Sequence, residues 1–136
     1  MRRIVALSVC IIMVVCSMQS LTPALAGQIT PYYTYISVMQ AGIGILGSTA
    51  YCSGYVATAY SYDVSITMTL MRRSGSIWVT VKSWSGSGYG VDGASLSKSQ
   101  GLTISGDYKV VVLGKILDES GNVLESKSAT SGIDTY

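Results

Sequence analysis

A strict alternation of side chains over residues 63–72 constrains the fold of this chain more than any other feature. Apolar and hydroxyl side chains follow one another there in the order Val64, Ser65, Ile66, Thr67, Met68, Thr69 and Leu70. Because successive side chains of a β-strand point to opposite faces, the segment predicts a strand with one apolar face and one hydroxyl face. Burial of one face only is typical of antiparallel sheets.

Similar signals recur through the rest of the chain after residue 35. Short runs rich in Val, Ile, Thr, Tyr and Trp are bounded by Gly, Ser, Asp and Asn, and no capping box precedes a run with helical period. These runs predict strands over residues 36–46, 49–58, 63–72, 77–84, 94–99, 107–117 and 123–129. About seven short strands separated by turn residues predict an all-β fold, a single antiparallel β-sandwich.

The fourth predicted strand, 77–84, has an ambiguous pattern. Strict alternation puts Trp78 and Trp84 on one face and the aliphatic residues 77, 79 and 81 on the other, but a β-bulge would bring a Trp and the valines to the same side. We assign both Trp residues structural roles. Residues 85–90, with the sequence SGSGYG, predict a mobile connection. Three lysines are candidates for protecting open sheet edges: Lys82, Lys98 and Lys127.

The first 26 residues predict a cleavable signal peptide, and therefore a secreted protein. Arg2 and Arg3 form a charged start, residues 4–18 are uncharged and nearly all apolar or small, and Ala24 and Ala26 supply the small residues of a cleavage site. An uncleaved membrane anchor is the alternative, but the apolar run is shorter than the about 20 residues of a spanning helix. The prediction is a signal peptide helix in 1–26, a β-sandwich domain in 27–136, and no stable membrane anchor after cleavage.

Charge and the lack of histidine exclude several functions. Cleavage removes two of the nine basic residues and no acidic one, which leaves seven of each. A neutral domain has no electrostatic footprint for nucleic acid, so we expect no nucleic-acid partner. Without His, Ser-His-Asp and Cys-His catalysis is impossible and the commonest zinc ligand is missing.

No motif in the chain indicates a reaction class, a cofactor or a metal site. A pair of carboxylates, as in glycoside hydrolysis, remains conceivable, but nearly all acidic residues fall at predicted strand ends or turns. The oxygen-rich segment 118–122 lacks the spacing of a calcium loop and is better explained as a solvated turn. We therefore expect a protein that is not an enzyme and binds no cofactor.

Cys52 is the one cysteine that remains after residue 26, so no internal disulfide can form. Its thiol could be reactive or could form a bridge between chains. The simpler interpretation is a small buried apolar residue in a strand, which we favour because the chain offers no His as a base.

Tyrosine is the most informative excess in the composition. The chain has 10 Tyr, 2 Trp and no Phe, and all of these aromatics follow residue 26. Tyr and Trp combine flat contact area with a polar tip, which suits recognition surfaces and stacking against sugars, although Tyr also suits any half-wet β surface. The candidate binding residues are one pair sharing a strand face opposite Cys52 and three near predicted loops, namely Tyr51, Tyr55, Tyr60, Tyr62 and Tyr89.

The segment 102–112, LTISGDYKVVV, resembles the E–F corner of immunoglobulin-like and fibronectin type III domains. In those domains a Leu precedes a Tyr by six residues and alternating valines follow, as Leu102, Tyr108, Val110 and Val112 do here. The resemblance implies that the Tyr108 hydroxyl bonds back to the backbone upstream, in a tyrosine corner. Cys52 occupies the place of the strand B cysteine but has no partner on strand F, so the resemblance favours the fibronectin-like version.

The chain after the cleavage site also resembles an uncharacterised family of small secreted proteins from Gram-positive bacteria. The segments that carry this resemblance are residues 30–33, 61–70, 78–88 and 118–123. It implies export and a β-sandwich, and it carries over no catalytic residue.

Three functions fit these observations. The first is a binding or surface-associated module that uses its tyrosines or its Gly-rich segment against a cell-wall glycan or an extracellular protein. The second is a bacteriocin-like secreted effector, and the third is a cell-envelope structural protein that assembles through its sheet edges. The sequence leaves the oligomeric state open.

Overall fold

Eight β-strands and one 3-10 turn make up most of residues 34–136, the part of the chain that this computed structural model describes. The predicted signal peptide, with Ala24 and Ala26, lies outside the described residues. In the described part no helix is long and apolar enough to cross a membrane. The strands are β1 Ile36–Leu46, β2 Thr49–Thr58, β3 Asp63–Ser74, β4 Ile77–Tyr89, β5 Ala94–Gly101, β6 Asp107–Leu117, β7 Val123–Thr130 and β8 Asp134–Thr135, and the 3-10 turn η1 is Gly90–Asp92.

The strands form two antiparallel sheets. Sheet A has the order β1-β2-β5, and sheet B has the order β4-β3-β6-β7, with the short β8 pairing with the start of β6. The prediction of an all-β sandwich is confirmed. The fourth strand pairs with the third in sheet B, whereas the D strand of a constant-type immunoglobulin domain joins the A, B and E strands. This arrangement agrees with the fibronectin-like version.

The core lies between the sheets and comes from the alternation seen in the sequence. The even-numbered residues of β3 up to Leu70 and of β6 point inward and are buried, including Ile66, Met68 and Ile116. Sheet A contributes smaller side chains such as Ala50, Cys52 and Val56 from β2. Burial of one large aliphatic side chain stabilises the fold by about 1.5–3 kcal/mol, so the inward set accounts for most of the driving force.

One turn-like segment differs from the sequence prediction. Residues 85–89, expected to be a mobile connection, continue β4 and pair with β3 up to Asp63↔Tyr89. The expectation was wrong because the serines of this segment lie opposite hydroxyl residues on β3, as Ser85 Oγ does 3.4 Å from Thr67 Oγ1. The glycines point inward, where Leu96 of β5 packs against Gly86.

A β-bulge between Leu70 and Met71 decides the ambiguous pattern of β4. In the part of β4 that pairs with β3 up to Leu70, Trp84 lies opposite the buried Met68, so it points inward and packs against the core. On the other side of the bulge, where β4 pairs with β3 from Met71 onward, Trp78 lies opposite Arg73 and points outward. The Trp78 ring there has Arg73 Cζ at 5.1 Å and Lys109 Nζ at 4.2 Å from its centroid, which is cation–π geometry.

The connection from β5 to β6 contains a tyrosine corner. Tyr108 is buried, and its hydroxyl donates a hydrogen bond to the carbonyl oxygen of Ile104 four residues upstream. Burial raises the pKa of Tyr108 above its usual range, with the charge of Arg72 acting in the opposite direction. The bond holds the crossing from sheet A to sheet B in place.

Candidate functional site

Most of the candidate tyrosines lie at one end of the sandwich, which we call the loop end. It is formed by the connections 59–62, 90–93 and 118–122, which join β2 to β3, β4 to β5 and β6 to β7. Tyr60 and Tyr62 belong to the first connection, and Tyr89 is the last residue of β4. In immunoglobulin variable domains the loops after the second and sixth strands of this architecture belong to the antigen-binding end.

Three rings contact one another at the loop end and form what we call the tyrosine cluster: Tyr35, Tyr60 and Tyr62. The ring centroids are 5.8 Å apart for Tyr35 and Tyr60, and 5.9 Å apart for each of the other two pairs. The interplanar angles are 60°, 69° and 39°. Because the rings are not coplanar, the cluster presents a corner rather than a flat platform.

Hydrogen bonds to the backbone of Tyr60 and Tyr62 hold these two members of the cluster in position. The buried Thr58 at the end of β2 accepts a bond at its Oγ1 from the Tyr60 amide, at 3.2 Å. The Tyr62 carbonyl accepts a bond from the Gly90 amide at 3.0 Å, which ties the first connection to η1. Gly93, which ends η1 with φ +64°, has no room for a Cβ beside the Val56 carbonyl and Ala57. The loop end is therefore built on ordered backbone.

Tyr51 and Tyr55 both lie on the face of β2 opposite the buried Cys52, but at different distances from the loop end. Tyr55 joins the loop end, because its hydroxyl donates a bond of 3.2 Å to the Val91 carbonyl of η1. A surface depression beside it is lined by Gln40, Ser53, Gly54 and Tyr55. Tyr51 lies four residues earlier in β2, about 13 Å away, and is 53% exposed on the open face of sheet A.

The charges at the loop end are all negative. Asp63, Asp92, Asp118 and Glu119 lie in or beside its three connections, which contain no Lys or Arg. The Asp118 carboxylate is occupied by its own turn: one oxygen accepts bonds from the Ser120 and Asn122 amides at 2.9 Å each. These bonds, that from Asn122 above all, hold the pKa of Asp118 below its usual range.

Other carboxylates have structural partners. Glu125 accepts hydrogen bonds from the Tyr35 and Ile36 amides, and Asp134 accepts one from the Ile45 amide at 2.9 Å. Asp107 lies 3.7 Å from Arg73 in an exposed ion pair. Across residues 34–136 no group of three or more His, Cys, Asp or Glu side chains is placed to hold a metal ion.

Cys52 is buried in β2, with only 2% of its surface exposed. Burial raises the pKa of its thiol from 9.0 to about 11, so the neutral form predominates at physiological pH. The thiolate is the reactive form of cysteine, so burial disfavours reactivity here, and the side chain packs in the core between the sheets.

Sequence reasoning missed Tyr35, which completes the cluster from the segment before β1. A Tyr followed by a predicted strand carries no signal of its own, and 25 residues of chain separate it from Tyr60. The pairing of β1 with β2, in the register Ile36↔Thr58, brings the two together.

No protein-family model matches this chain, and neither does any curated protein. Among solved structures, a crystal structure of a family 76 glycoside hydrolase from a bovine Bacteroides thetaiotaomicron strain is similar, with 11% identity and a TM-score of 0.36. The similarity covers 73% of this chain and 20% of that one, so the chain spans about a fifth of the hydrolase's length. A likeness this weak carries no argument about activity.

Proposed function

We propose that this chain is exported and acts outside the cell as a non-catalytic binding module, with the loop end as its recognition surface. The observation that carries the proposal is the gathering of Tyr35, Tyr60, Tyr62 and Tyr89 at the end of the sandwich that immunoglobulin variable domains use for binding. Tyr supplies rigid, amphipathic contact area at low entropic cost, which is why binding loops are rich in it.

The shape and charge of the loop end favour an uncharged glycan chain as the partner. Aromatic faces stack on sugar rings, and Tyr60 and Tyr89 are 51% and 56% exposed. Because the rings of the cluster are not coplanar, they suit the end or a bend of a soluble chain better than a flat crystalline surface. The acidic residues around them disfavour anionic polymers.

Two further observations support a module without catalysis. The chain has no His, and the carboxylates of Asp118, Glu125 and Asp134 each accept hydrogen bonds from backbone amides. Export is supported by the signal-peptide pattern of residues 1–26.

The test is binding of the purified protein to an array of neutral and anionic cell-wall polysaccharides, with the Tyr60→Ala/Tyr89→Ala double variant beside the wild type. Tyr51→Ala is the matched control, because Tyr51 is equally exposed at 53% but lies away from the loop end. We expect the double variant to lose binding by at least about tenfold per ring removed, and the control to bind as the wild type does.

Circular dichroism establishes that each variant is folded. If Tyr51→Ala loses as much binding as the double variant, the binding site includes the face of sheet A rather than the loop end alone. If no neutral polysaccharide binds at all, the glycan proposal fails, and an extracellular protein becomes the partner to seek.

A further inference from the structure

Three of the four sheet edges carry a lysine opposite an inward-facing residue of the neighbouring strand. Lys82 on β4, Lys98 on β5 and Lys127 on β7 lie opposite the inward-facing Leu70, Cys52 and Gly114 of the neighbouring strands, respectively. Each lysine therefore points toward the sandwich interior from an edge strand, and each is exposed. An inward-pointing charge on an edge blocks pairing with another strand, because a second strand would bury it.

The fourth edge, β1, has no such protection. Its sequence, ISVMQAGIGIL, contains no charged residue and no Pro over 11 residues. The positions that correspond to the edge lysines are Met39, Ala41, Ile43 and Ile45, and they pack partly buried against the core. A long, uncharged edge is a template for a further strand.

The backbone of β1 offers free hydrogen-bonding groups at its centre. The Ile45 amide donates its hydrogen bond to Asp134 rather than to β2, so the backbone N–H and C=O of Ile45 point away from β2 while its side chain packs inward. The register with β2 is unbroken from Val38 to Leu46, so the backbone N–H and C=O groups of Met39, Ala41 and Ile43 also point away from β2. Within residues 34–136 the outward amides and carbonyls of these three residues have no hydrogen-bond partner.

The two ends of β1 are occupied, which defines the open stretch. Glu125 holds the Tyr35 and Ile36 amides at one end, and Asp134 holds the Ile45 amide at the other. The free stretch between them, Met39 to Ile43, is centred on Ala41. A strand added there needs only about five residues, or about 17 Å of extended chain.

We propose that β1 is a self-association site, at which it pairs antiparallel with β1 of a second copy of this chain about a two-fold axis through Ala41. Met39 then pairs with Ile43 of the partner copy, Ala41 pairs with its own equivalent, and the three outward pairs exchange about six backbone hydrogen bonds. The two copies of sheet A become one six-stranded sheet.

A second copy fits this edge better than any other edge of the molecule fits itself. Two-fold pairing through β4, β5 or β7 would place Lys82, Lys98 or Lys127 close to its own equivalent, and like charges opposite one another destabilise a strand pair. Between Met39 and Ile43 the β1 edge carries no charge of its own, and the small central residue, Ala41, lets the two strands approach. The Glu125 and Asp134 carboxylates lie beyond this stretch, at its two ends. This proposal does not depend on what the loop end binds.

The test is the mass of the purified protein, measured by sedimentation equilibrium over a range of concentrations. Ala41→Lys gives β1 the device that the other edges have, and it places two charges opposite each other across the two-fold axis. Gln40→Lys is the matched control: it adds the same charge one residue away, on the exposed outer face of sheet A and opposite no equivalent lysine. Ala41→Pro removes one outward amide without adding charge.

We expect the wild type and Gln40→Lys to form dimers, and Ala41→Lys and Ala41→Pro to weaken dimerisation by at least about tenfold. Thermal unfolding shows whether the variants keep the monomer fold. A wild type that stays monomeric at all concentrations overturns the proposal, as does a folded Ala41→Lys or Ala41→Pro that dimerises as tightly as the wild type.

Discussion

The crossing between β4 and β5 makes a sharp prediction about Gly88. A Cβ at this position would lie 2.9 Å from the Ala94 nitrogen and closer still to the carbonyl group of Gly93, all backbone atoms. A Cβ at Gly86 would meet only side-chain atoms, of which Leu96 Cδ2 is nearest at 3.1 Å and Ile66 Cγ2 follows at 3.4 Å. Both glycines are inward-facing residues of one strand, so Gly86→Ala is a close control for Gly88→Ala.

The expected cost of Gly88→Ala follows from what must move. Overpacking against side chains costs about 1–3 kcal/mol, and here two backbone segments belonging to different sheets must separate, so the upper end applies. Loss of unfolded-chain entropy returns only about 0.4–1 kcal/mol. We expect Gly88→Ala to lower the free energy of unfolding by about 2–2.6 kcal/mol, or the melting temperature by roughly 8–20 °C.

Gly86→Ala should change the free energy of unfolding by no more than about 1 kcal/mol, since Leu96 can move by a few tenths of an ångström. Urea unfolding followed by circular dichroism measures both variants. If Gly88→Ala costs no more than Gly86→Ala, residues 85–89 are the mobile connection that their composition indicates, and the close approach is not a feature of the folded protein.

Two further predictions concern single buried groups. Tyr108→Phe leaves the Ile104 carbonyl without its donor, so we expect a loss of about 1–2 kcal/mol in urea unfolding, and an unchanged midpoint would contradict the tyrosine corner. Burial raises the pKa of Cys52 from 9.0 to about 11, so its stabilising contribution is complete below pH 9 and is lost as the pH rises to 11. Wild type should therefore lose about 2–3 kcal/mol more than Cys52→Ala over that interval, and parallel pH profiles would show that the thiol is not desolvated.

The strand pattern could be predicted from the sequence because each strand carries its own period-two signal. The bounds expected for residues 36–46, 49–58 and 107–117 coincide with β1, β2 and β6. The prediction that the Gly/Ser segment after residue 84 is a mobile connection was wrong for a physical reason. Glycine is common both in flexible connections and where two backbones approach closely, and only the neighbouring β5 distinguishes the two cases.

The candidate site could be predicted only in part, because it depends on strand order. Tyr60 and Tyr62 are near neighbours in the chain, but Tyr35 and Tyr89 reach them only through the pairing of β1 with β2 and of β3 with β4. The unprotected β1 edge likewise depends on strand order. The lysines of the other edges were visible in the sequence, but β1 is identified as the fourth edge only once the order β1-β2-β5 is known.

The two proposals together constrain how the protein can act. Tyr35 directly precedes β1, so the tyrosine cluster lies at the start of that strand, six residues or about 20 Å from Ala41. Antiparallel pairing about Ala41 places the start of each β1 beside the end of the other, so the two clusters lie at opposite ends of the dimer, about 40 Å apart. Such a dimer cannot bring both clusters onto one flat surface, so pairing adds little avidity there. A dimer of this shape would instead connect two separate glycan chains. Ala41→Lys should abolish that bridging, while each monomer still binds one chain.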